Sequence, residues 1–457
     1  MSYVKKIVLS AENIEETLPV EQEVVEVFTP VALTEMGDAN SEVQMLNEQI
    51  ENALIDTYTL DQIASVVAKK AETGMTPETA EAVYCATESI YARYGVVSKS
   101  IPAVECFGEG TRIMFTSVAM ENIKQAIDTM WKAIVNAIKA AYEHVVNFLK
   151  KIGASASSVL KKAKDILSKV KETPMEDNPN QLLLGNSSSV AANEDMEEPT
   201  KKVLSASSIT LLFGEKTDTP SLFRSTAVLS NVVNESTHLV STATVSLKSG
   251  EQVMTAYSEN KSMDQIVFPS FVKGMALSGR SDASIVETKG TRKHCSEMLP
   301  GGMCLMINGA EEGKVLRGTD GVAAMSKTSI SISAWDTSVK MQGHKTVPVL
   351  SKDNIQKLLE EAIVLSTTVQ IMQTHAEKLQ SEFKSFADGV GNFKYTEEYS
   401  ADNKKISVHD IRGMVVALKN IISYGIPSVY GYSIRVSNAM VDYCTASIAC
   451  YNRVSVN

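Results

Sequence analysis

Side chains that could bind a metal ion cluster around His294 and Cys295, with Cys304 and His344 further along the chain. Thiolate and imidazole groups are ligands that zinc prefers, and common zinc modules pair such ligands about two to four residues apart. The intervals in this chain match none of those modules. Ordinary buried thiols and surface histidines are the commoner explanation of such a set, so the sequence predicts no metal site and no cofactor.

Sequence motifs of enzymes are absent. The chain contains no GxxxxGK[ST] phosphate-binding loop, no HExxH metal-binding motif and no GxSxG nucleophile motif. His144 is one of only 6 histidines, and its place in an amphipathic segment is typical of a boundary residue rather than of a general base. We therefore expect a protein that is not an enzyme.

Length and composition indicate a folded protein with more than one unit. A chain of 457 residues is larger than one ordinary core, and 44% hydrophobic residues is a normal content for a globular protein. No apolar run reaches the roughly 18 residues that span a bilayer. The apolar stretch at the N-terminus is too short for a signal peptide. The 6 cysteines lack paired spacings, which predicts buried thiols in a reducing compartment.

The negative charge of the chain is concentrated before residue 106. Residues 1–105 contain 18 of the 54 acidic residues and 6 of the 44 basic ones, which leaves 36 acids and 38 bases for residues 106–457. The net charge is therefore −12 before the boundary and +2 after it. Two explanations remain open: an acidic domain that stays attached, or a removable segment that keeps an immature protein away from an anionic partner such as DNA.

The acidic segment contains helical patterns. Residues 13–45 are rich in acids and contain two prolines, which predicts an extended or disordered stretch. Residues 43–55 and 60–72 show apolar side chains at helical spacing. A further helix should start with Thr76 as N-cap and Pro77 at its first position, and it should end at Gly95. The segment thus predicts a small helical unit after a disordered N-terminus.

A lysine-rich amphipathic helix is predicted within residues 106–171. Residues 117–171 contain ten lysines and four acids. The apolar side chains recur on one face: Val118, Ile123, Ile127, Trp131, Ile134, Ile138, Tyr142, Val145, Leu149 and Ile152. The candidate DNA-facing side chains are Lys124, Lys132, Lys139, Lys150, Lys151, Lys161 and Lys162. Three functions remain open for such a helix: packing into a core with a solvated lysine face, binding to a membrane surface, or neutralising nucleic acid.

The remaining chain predicts a mainly α fold, or α+β, with a small β insertion. Residues 172–200 have seven acids, no bases and three prolines, which is typical of a linker. Residues 201–350 combine helix and strand: apolar heptad spacing from Leu229 to Met254 favours one long helix, and short runs at 301–308, 313–318 and 326–335 favour strands. Residues 351–457 should be helical, beginning with a long helix capped by Ser351 or Asp353.

The order of these segments resembles the internal head proteins of large tailed (jumbo) bacteriophages. Those proteins carry an acidic propeptide, a junction, a Thr-Arg element and a lysine-rich helix that contains tryptophan. The sequence departs from the pattern at Cys106, Met120 and Asn122, where Ser, Leu and Gly are usual. The resemblance extends over roughly residues 45–152. The residues that align with the pattern, including the two departures Met120 and Asn122, are Val104, Glu105, Phe107, Gly108, Thr111, Arg112, Ala119, Met120, Glu121, Asn122 and Ile123.

The resemblance implies a cleavage site. In such phages a prohead protease cuts structural precursors after a small residue, any residue and Glu, and Ala103-Val104-Glu105 followed by Cys106 fits that motif. Other stretches also match the motif, among them those ending at Glu12, Glu88, Glu121 and Glu194. Glu88 and Glu121 fall in predicted helices, which must unwind to be cut, so the resemblance favours Glu105 and a propeptide of residues 1–105.

The function that we predict is that of a non-enzymatic protein inside the virion. It would assemble in the prohead in the host cytoplasm with capsid or other internal head proteins, be cleaved after Glu105, and stay with packaged DNA, which it would bind without sequence preference. Two alternatives remain open. One is a membrane-active ejection protein that inserts its freed helix into a bilayer, and the other is a cytosolic scaffold that is never processed.

Overall fold

The computed structural model describes residues 30–96, 109–172, 182–183, 204–214, 218–259, 261–277, 292–310, 316–335, 346–393, 408–449 and 451. These residues form long α-helices and short antiparallel strands. The predicted class, mainly α with a small β insertion, is therefore confirmed.

The described part of the acidic segment, residues 30–96, contains the helices α1 (Pro30–Ala68) and α2 (Pro77–Tyr94). Thr76 caps α2 by accepting a hydrogen bond from the Thr79 amide at 3.3 Å, and Gly95 ends the helix in the left-handed conformation. Both predicted ends of α2 are thus confirmed.

The start of α1 differs from the sequence prediction. The two predicted helical stretches form one continuous helix, and residues 30–45 are helical instead of extended. A proline is tolerated at the first helical position because the amide it lacks would have no partner there. No further proline interrupts the chain before Pro77. The acidic composition of this stretch therefore did not prevent a helix.

The basic segment forms one helix, α3 (Glu109–Glu172), of 64 residues. At 1.5 Å per residue it is about 96 Å long. Helix α3 packs against α1 and α2 near its start. It also packs against two helices of the C-terminal region, α7 (Lys352–Asn392) and α9 (Ile426–Ala449), so it links the acidic segment to the body.

The body is a bundle of long helices. After the short α4 (Ala206–Leu212) comes α5 (Thr219–Ser258), the long helix that its heptad spacing predicted. Helix α7 starts after Ser351, whose side chain accepts a hydrogen bond from the Asn354 amide. The main core is formed by buried side chains from α3, α5, α7 and α9, which pack on one another.

The last two helices are joined without a loop. Helix α8 (Val408–Asn420) continues through one π-helical turn (Ile421–Gly425) into α9. Pro427 lies just inside α9, where a proline removes one amide donor and its ring crowds the preceding turn. The wider π turn, in which the Ile426 amide bonds to the Ile421 carbonyl, is a common way to accommodate such a defect.

Among the described residues, the strands form three small antiparallel sheets. The largest has the order β3 (Arg292–Cys295), β4 (Met303–Gly309), β6 (Ser329–Ala334). Two-residue strands form the other sheets: β1 (Leu182–Leu183) pairs with β7 (Thr346–Val347), and β2 (Val267–Phe268) pairs with β5 (Leu316–Arg317), which leads into α6 (Gly318–Met325). The runs predicted as strands correspond to β4, β5 and β6, and β1 lies within the predicted linker.

Candidate nucleic-acid interface and processing junction

The apolar face of α3 lies inside the protein. Ile127, Ile134, Ile138 and Leu149 are buried, and Trp131 and Tyr142 are partly buried against the core. The Trp131 and Phe393 ring centroids are 6.1 Å apart, and those of Tyr142 and Phe383 are also 6.1 Å apart. These contacts place the stripe of α3 against α7. In the part of the chain that the structure describes, no helix is both long and apolar enough to cross a bilayer.

The lysines of α3 lie on its exposed surface. All seven predicted DNA-facing lysines are exposed, as are Lys164, Lys169 and Lys171. Successive intervals of 7, 11, 11, 3 and 7 residues separate the members of one row, and such intervals are close to whole numbers of helical turns. The row runs for roughly 60 Å along the helix axis. It contains Lys132, Lys139, Lys150, Lys161, Lys164 and Lys171.

Positive charge is strongest in the second half of this helix. Residues 150–171 contain seven lysines and one acid, Asp165. Glu121, Asp128 and Glu143 are interspersed with the lysines of the first half. The Lys139 ammonium also lies beside the end of α7. Its Nζ atom is 3.6 Å from the position that a Cβ atom on Gly391 would occupy. The best candidate for a phosphate-binding surface is therefore 150–171.

The candidate cleavage motif lies between two helices in the chain. Ala103, Val104, Glu105 and Cys106 are outside the described residues, between the end of α2 at Tyr94 and the start of α3 at Glu109. The competing motif residues Glu88 and Glu121 lie within α2 and α3. A protease binds an extended strand, so these two sites would require a helix to unwind. The motifs that end at Glu12 and Glu194 also lie outside the described residues.

The described helices of the acidic segment, α1 and α2, share their buried side chains with the body. Leu60 and Val67 of α1 and Val83 of α2 share one hydrophobic cluster with Ile123 and Met130 of α3. Ile50 and Ala53 of α1 reach the main core. The Met75 amide donates a hydrogen bond to the Thr116 hydroxyl at 2.9 Å. The acidic segment therefore packs on the body through buried apolar side chains and a buried hydrogen bond, as elements within one folded domain do.

Two buried cations of α8 face the acidic segment. The Arg412 guanidinium donates a hydrogen bond to the Asp61 carboxylate at 2.7 Å, and it lies 5.8 Å from the centre of the Trp131 ring. Lys419 is fully buried, and its desolvation lowers the pKa of the ammonium to about 7, while the nearby Glu51 carboxylate acts in the opposite direction.

Sequence reasoning missed Arg412 and Lys419. They lie in the run IRGMVVALKNII, where two cations at helical spacing suggest a solvated face. The only signal was the high apolar content around them. In the structure every residue from Ile411 to Lys419 is buried, because α1, α5 and α6 all pack on α8.

The candidate metal ligands lie on the three-stranded sheet. His294 and Cys295 are neighbours on β3, and Cys304 is the second residue of β4, opposite Ser333. His344 is outside the described residues. Among the residues with described positions, no three His, Cys, Asp or Glu side chains come together as a metal site would require.

Comparison with known proteins identifies the family. No curated protein and no solved structure gives a significant match to this chain. A family model described as phiKZ-like phage internal head proteins matches residues 20–446, which is most of the chain and includes α1, α3 and the bundle of long helices. This protein therefore belongs to the phiKZ-like phage internal head proteins, which lie inside the phage capsid.

Proposed function

We propose that this internal head protein is a non-enzymatic precursor that is cleaved after Glu105 during head maturation and then stays with the packaged DNA. The precursor would enter the immature capsid during assembly in the host cytoplasm, together with capsid or other internal head proteins. Its processing partner would be the prohead protease, and its final ligand would be duplex DNA, bound without sequence preference.

The observation that supports DNA association is the concentration of exposed lysines on 150–171 of α3. Each lysine that contacts a phosphate releases a condensed counterion, which makes binding strong at low salt and weak at high salt. Removal of a segment with net charge −12 would leave a chain of net charge +2. Long-range repulsion between the protein and DNA would fall as the genome enters the head.

The membrane-active alternative receives less support. Insertion into a bilayer would use the apolar face around Trp131, Ile134 and Ile138. Both isoleucines are almost completely buried, and the Trp131 ring contacts Arg412 and Phe393. The helix would have to leave the core before it could bind lipid. Exposed lysines require no such rearrangement to bind DNA.

Intact mass and N-terminal sequencing of the protein from purified phage heads test the processing step. We expect a mature N-terminus at Cys106, and phage that encode Glu105→Gln should retain the full-length protein because the protease would lose the carboxylate it recognises. Glu12→Gln, which changes another matching motif, is the control and should leave the Cys106 terminus unchanged. Normal trimming of Glu105→Gln, or a different terminus such as Asn13 or Asn122, would refute cleavage at Glu105. Recovery of the unprocessed chain would favour a scaffold role.

A further inference from the structure

Helix α1 fits the body as a coiled-coil helix fits its partner. Its buried side chains alternate at intervals of three and four residues, which is the a and d spacing of a heptad. Acidic residues flank this seam at Glu51, Asp56 and Asp61. The buried positions of this seam are Ile50, Ala53, Thr57, Leu60, Ala64 and Val67; Asp56 is buried beside it and accepts hydrogen bonds from Arg93 and Tyr94 of α2.

The surface beneath α1 is both apolar and cationic. Ile123, Ile127 and Met130 of α3 provide the apolar part, and the Arg412 guanidinium of α8 provides the charge, with the Lys419 side chain buried on the same helix. The side chain of Arg412 is only 3% exposed and that of Asp61 13%, so their ion pair is shielded from solvent. A buried cation that loses its carboxylate carries a large desolvation penalty. The surface is therefore matched to an acidic helix.

We propose that this groove of α3 and α8 is a binding site for an acidic amphipathic helix, and that cleavage of the chain converts α1 from a tethered element into a dissociable ligand of it. The proposal rests on the proposed processing after Glu105. A cut in the connection between α2 and α3 removes one covalent bond and none of the contacts described above. The acidic segment would stay bound until dilution or another acidic helix releases it, so the change in net charge described in the proposed function would follow that release and not the cut itself.

The chemistry of the groove favours a helix over DNA as its occupant. Phosphates would have to reach the Arg412 side chain, which is only 3% exposed, between apolar walls, whereas the α1 seam covers those walls with side chains and delivers one carboxylate to the guanidinium. The Tyr58 and His409 rings, whose centroids are 4.4 Å apart, add a further contact between α1 and α8. The exposed lysines of 150–171 form a separate surface, which stays open while α1 is bound.

The test uses the full chain with a recognition sequence for a site-specific protease inserted between Glu105 and Cys106. After cutting, gel filtration over a series of concentrations should show the two pieces eluting together at micromolar protein and separating on dilution. A labelled peptide of residues 44–70 should exchange into the complex. Raising the salt concentration should change the dissociation constant only slightly, because buried pairs are screened much less than exposed ones.

Two matched substitutions in the acidic segment decide whether the groove selects its ligand. Asp61→Asn should raise the dissociation constant about tenfold or more, since the guanidinium would remain buried beside a neutral amide. Glu88→Gln removes the same charge from an exposed position on α2 and should change the dissociation constant by less than about twofold. The uncut Asp61→Asn protein should remain folded, because the tether keeps the local concentration of α1 high.

Three results would overturn the proposal: pieces that separate at micromolar concentration and do not recombine, equal weakening by Asp61→Asn and Glu88→Gln, or displacement of the segment by duplex DNA. These results are independent of the natural cleavage site. A mature N-terminus other than Cys106 in phage heads would refute the proposed processing and leave the affinity of the inserted-site protein unchanged.

Discussion

The Asp61 carboxylate and the Arg412 guanidinium lie 2.7 Å apart although 351 positions separate them in the chain. This ion pair joins the acidic segment to the C-terminal helices, and both side chains are largely shielded from water. Removing one partner of such a buried pair typically costs about 3–5 kcal/mol. The contact therefore ties the stability of the body to the presence of the segment.

A double-mutant cycle should reveal strong coupling between these two residues. In the uncut protein, Asp61→Ala and Arg412→Ala should each lower the free energy of unfolding by about 3 kcal/mol, and the double variant should lose much less than the sum. The Lys248–Glu382 pair, with an N–O distance of 3.0 Å but side chains 53% and 21% exposed, is the control and should couple by less than about 1 kcal/mol. Additive losses at Asp61 and Arg412 would show that the pair contributes little.

The apolar face of α3 gives a second prediction. Ile134→Asp and Ile138→Asp should each lower the free energy of unfolding by at least about 3 kcal/mol, because each removes a buried side chain and places a carboxylate in the core. Asn136→Asp changes an exposed position between them and should be nearly neutral. Thermal unfolding with the three variants measures this. An unchanged melting temperature together with lost liposome binding would favour the membrane-active alternative.

The elements that could be predicted from the sequence are those whose apolar spacing repeats over many residues and those with a capping residue next to them in the chain. Helix α3 repeats its apolar positions over many turns, and the N-caps Thr76 and Ser351 can be predicted from their own residue types and the few residues that follow. Two-residue strands such as β1 (Leu182–Leu183) and β7 (Thr346–Val347) carry no period, because their pairing is decided by distant parts of the chain. They were therefore not predictable from local sequence.

Only part of the candidate site could be predicted from the sequence. The exposed lysines follow from the polar face of an amphipathic helix, so their position was predictable. Arg412 and Lys419 were not, because whether a helical cation reaches solvent depends on which helices surround it. The acidic segment also looked like a separate unit by composition, and only the shared cluster around Leu60 and Ile123 reveals that it is built into the body.

The lysine surface of α3 predicts salt-dependent DNA binding. Replacing Lys150, Lys161 and Lys164 by Gln should weaken binding to duplex DNA and reduce the slope of log affinity against log salt by roughly 0.9 per lost phosphate contact. A triple variant of the exposed α7 lysines Lys357, Lys378 and Lys384 has the same change in net charge and is the control. Fluorescence anisotropy at several salt concentrations measures both. Equal losses in the two variants would mean that net charge, not the α3 surface, governs binding.

Lys419 predicts an unusual dependence of stability on pH. Burial lowers the pKa of this ammonium from 10.5 to about 7. Between these two values the unfolded chain binds the proton more strongly than the folded protein, so the contribution of Lys419 to stability rises as the pH increases through this window and is least favourable below pH 7.

Lys419→Met keeps an unbranched side chain, one atom shorter than that of lysine, and removes the charge. We expect this variant to gain most in free energy of unfolding at pH 6, and its advantage over the natural protein should shrink steadily toward pH 10, because the natural lysine becomes neutral in the folded state. Lys357→Met removes an exposed lysine and should show no such trend. Denaturant unfolding at four pH values between 6 and 10 measures the difference. A constant difference would mean that Lys419 stays charged in the folded protein, held by Glu51 across the interface between α1 and α8.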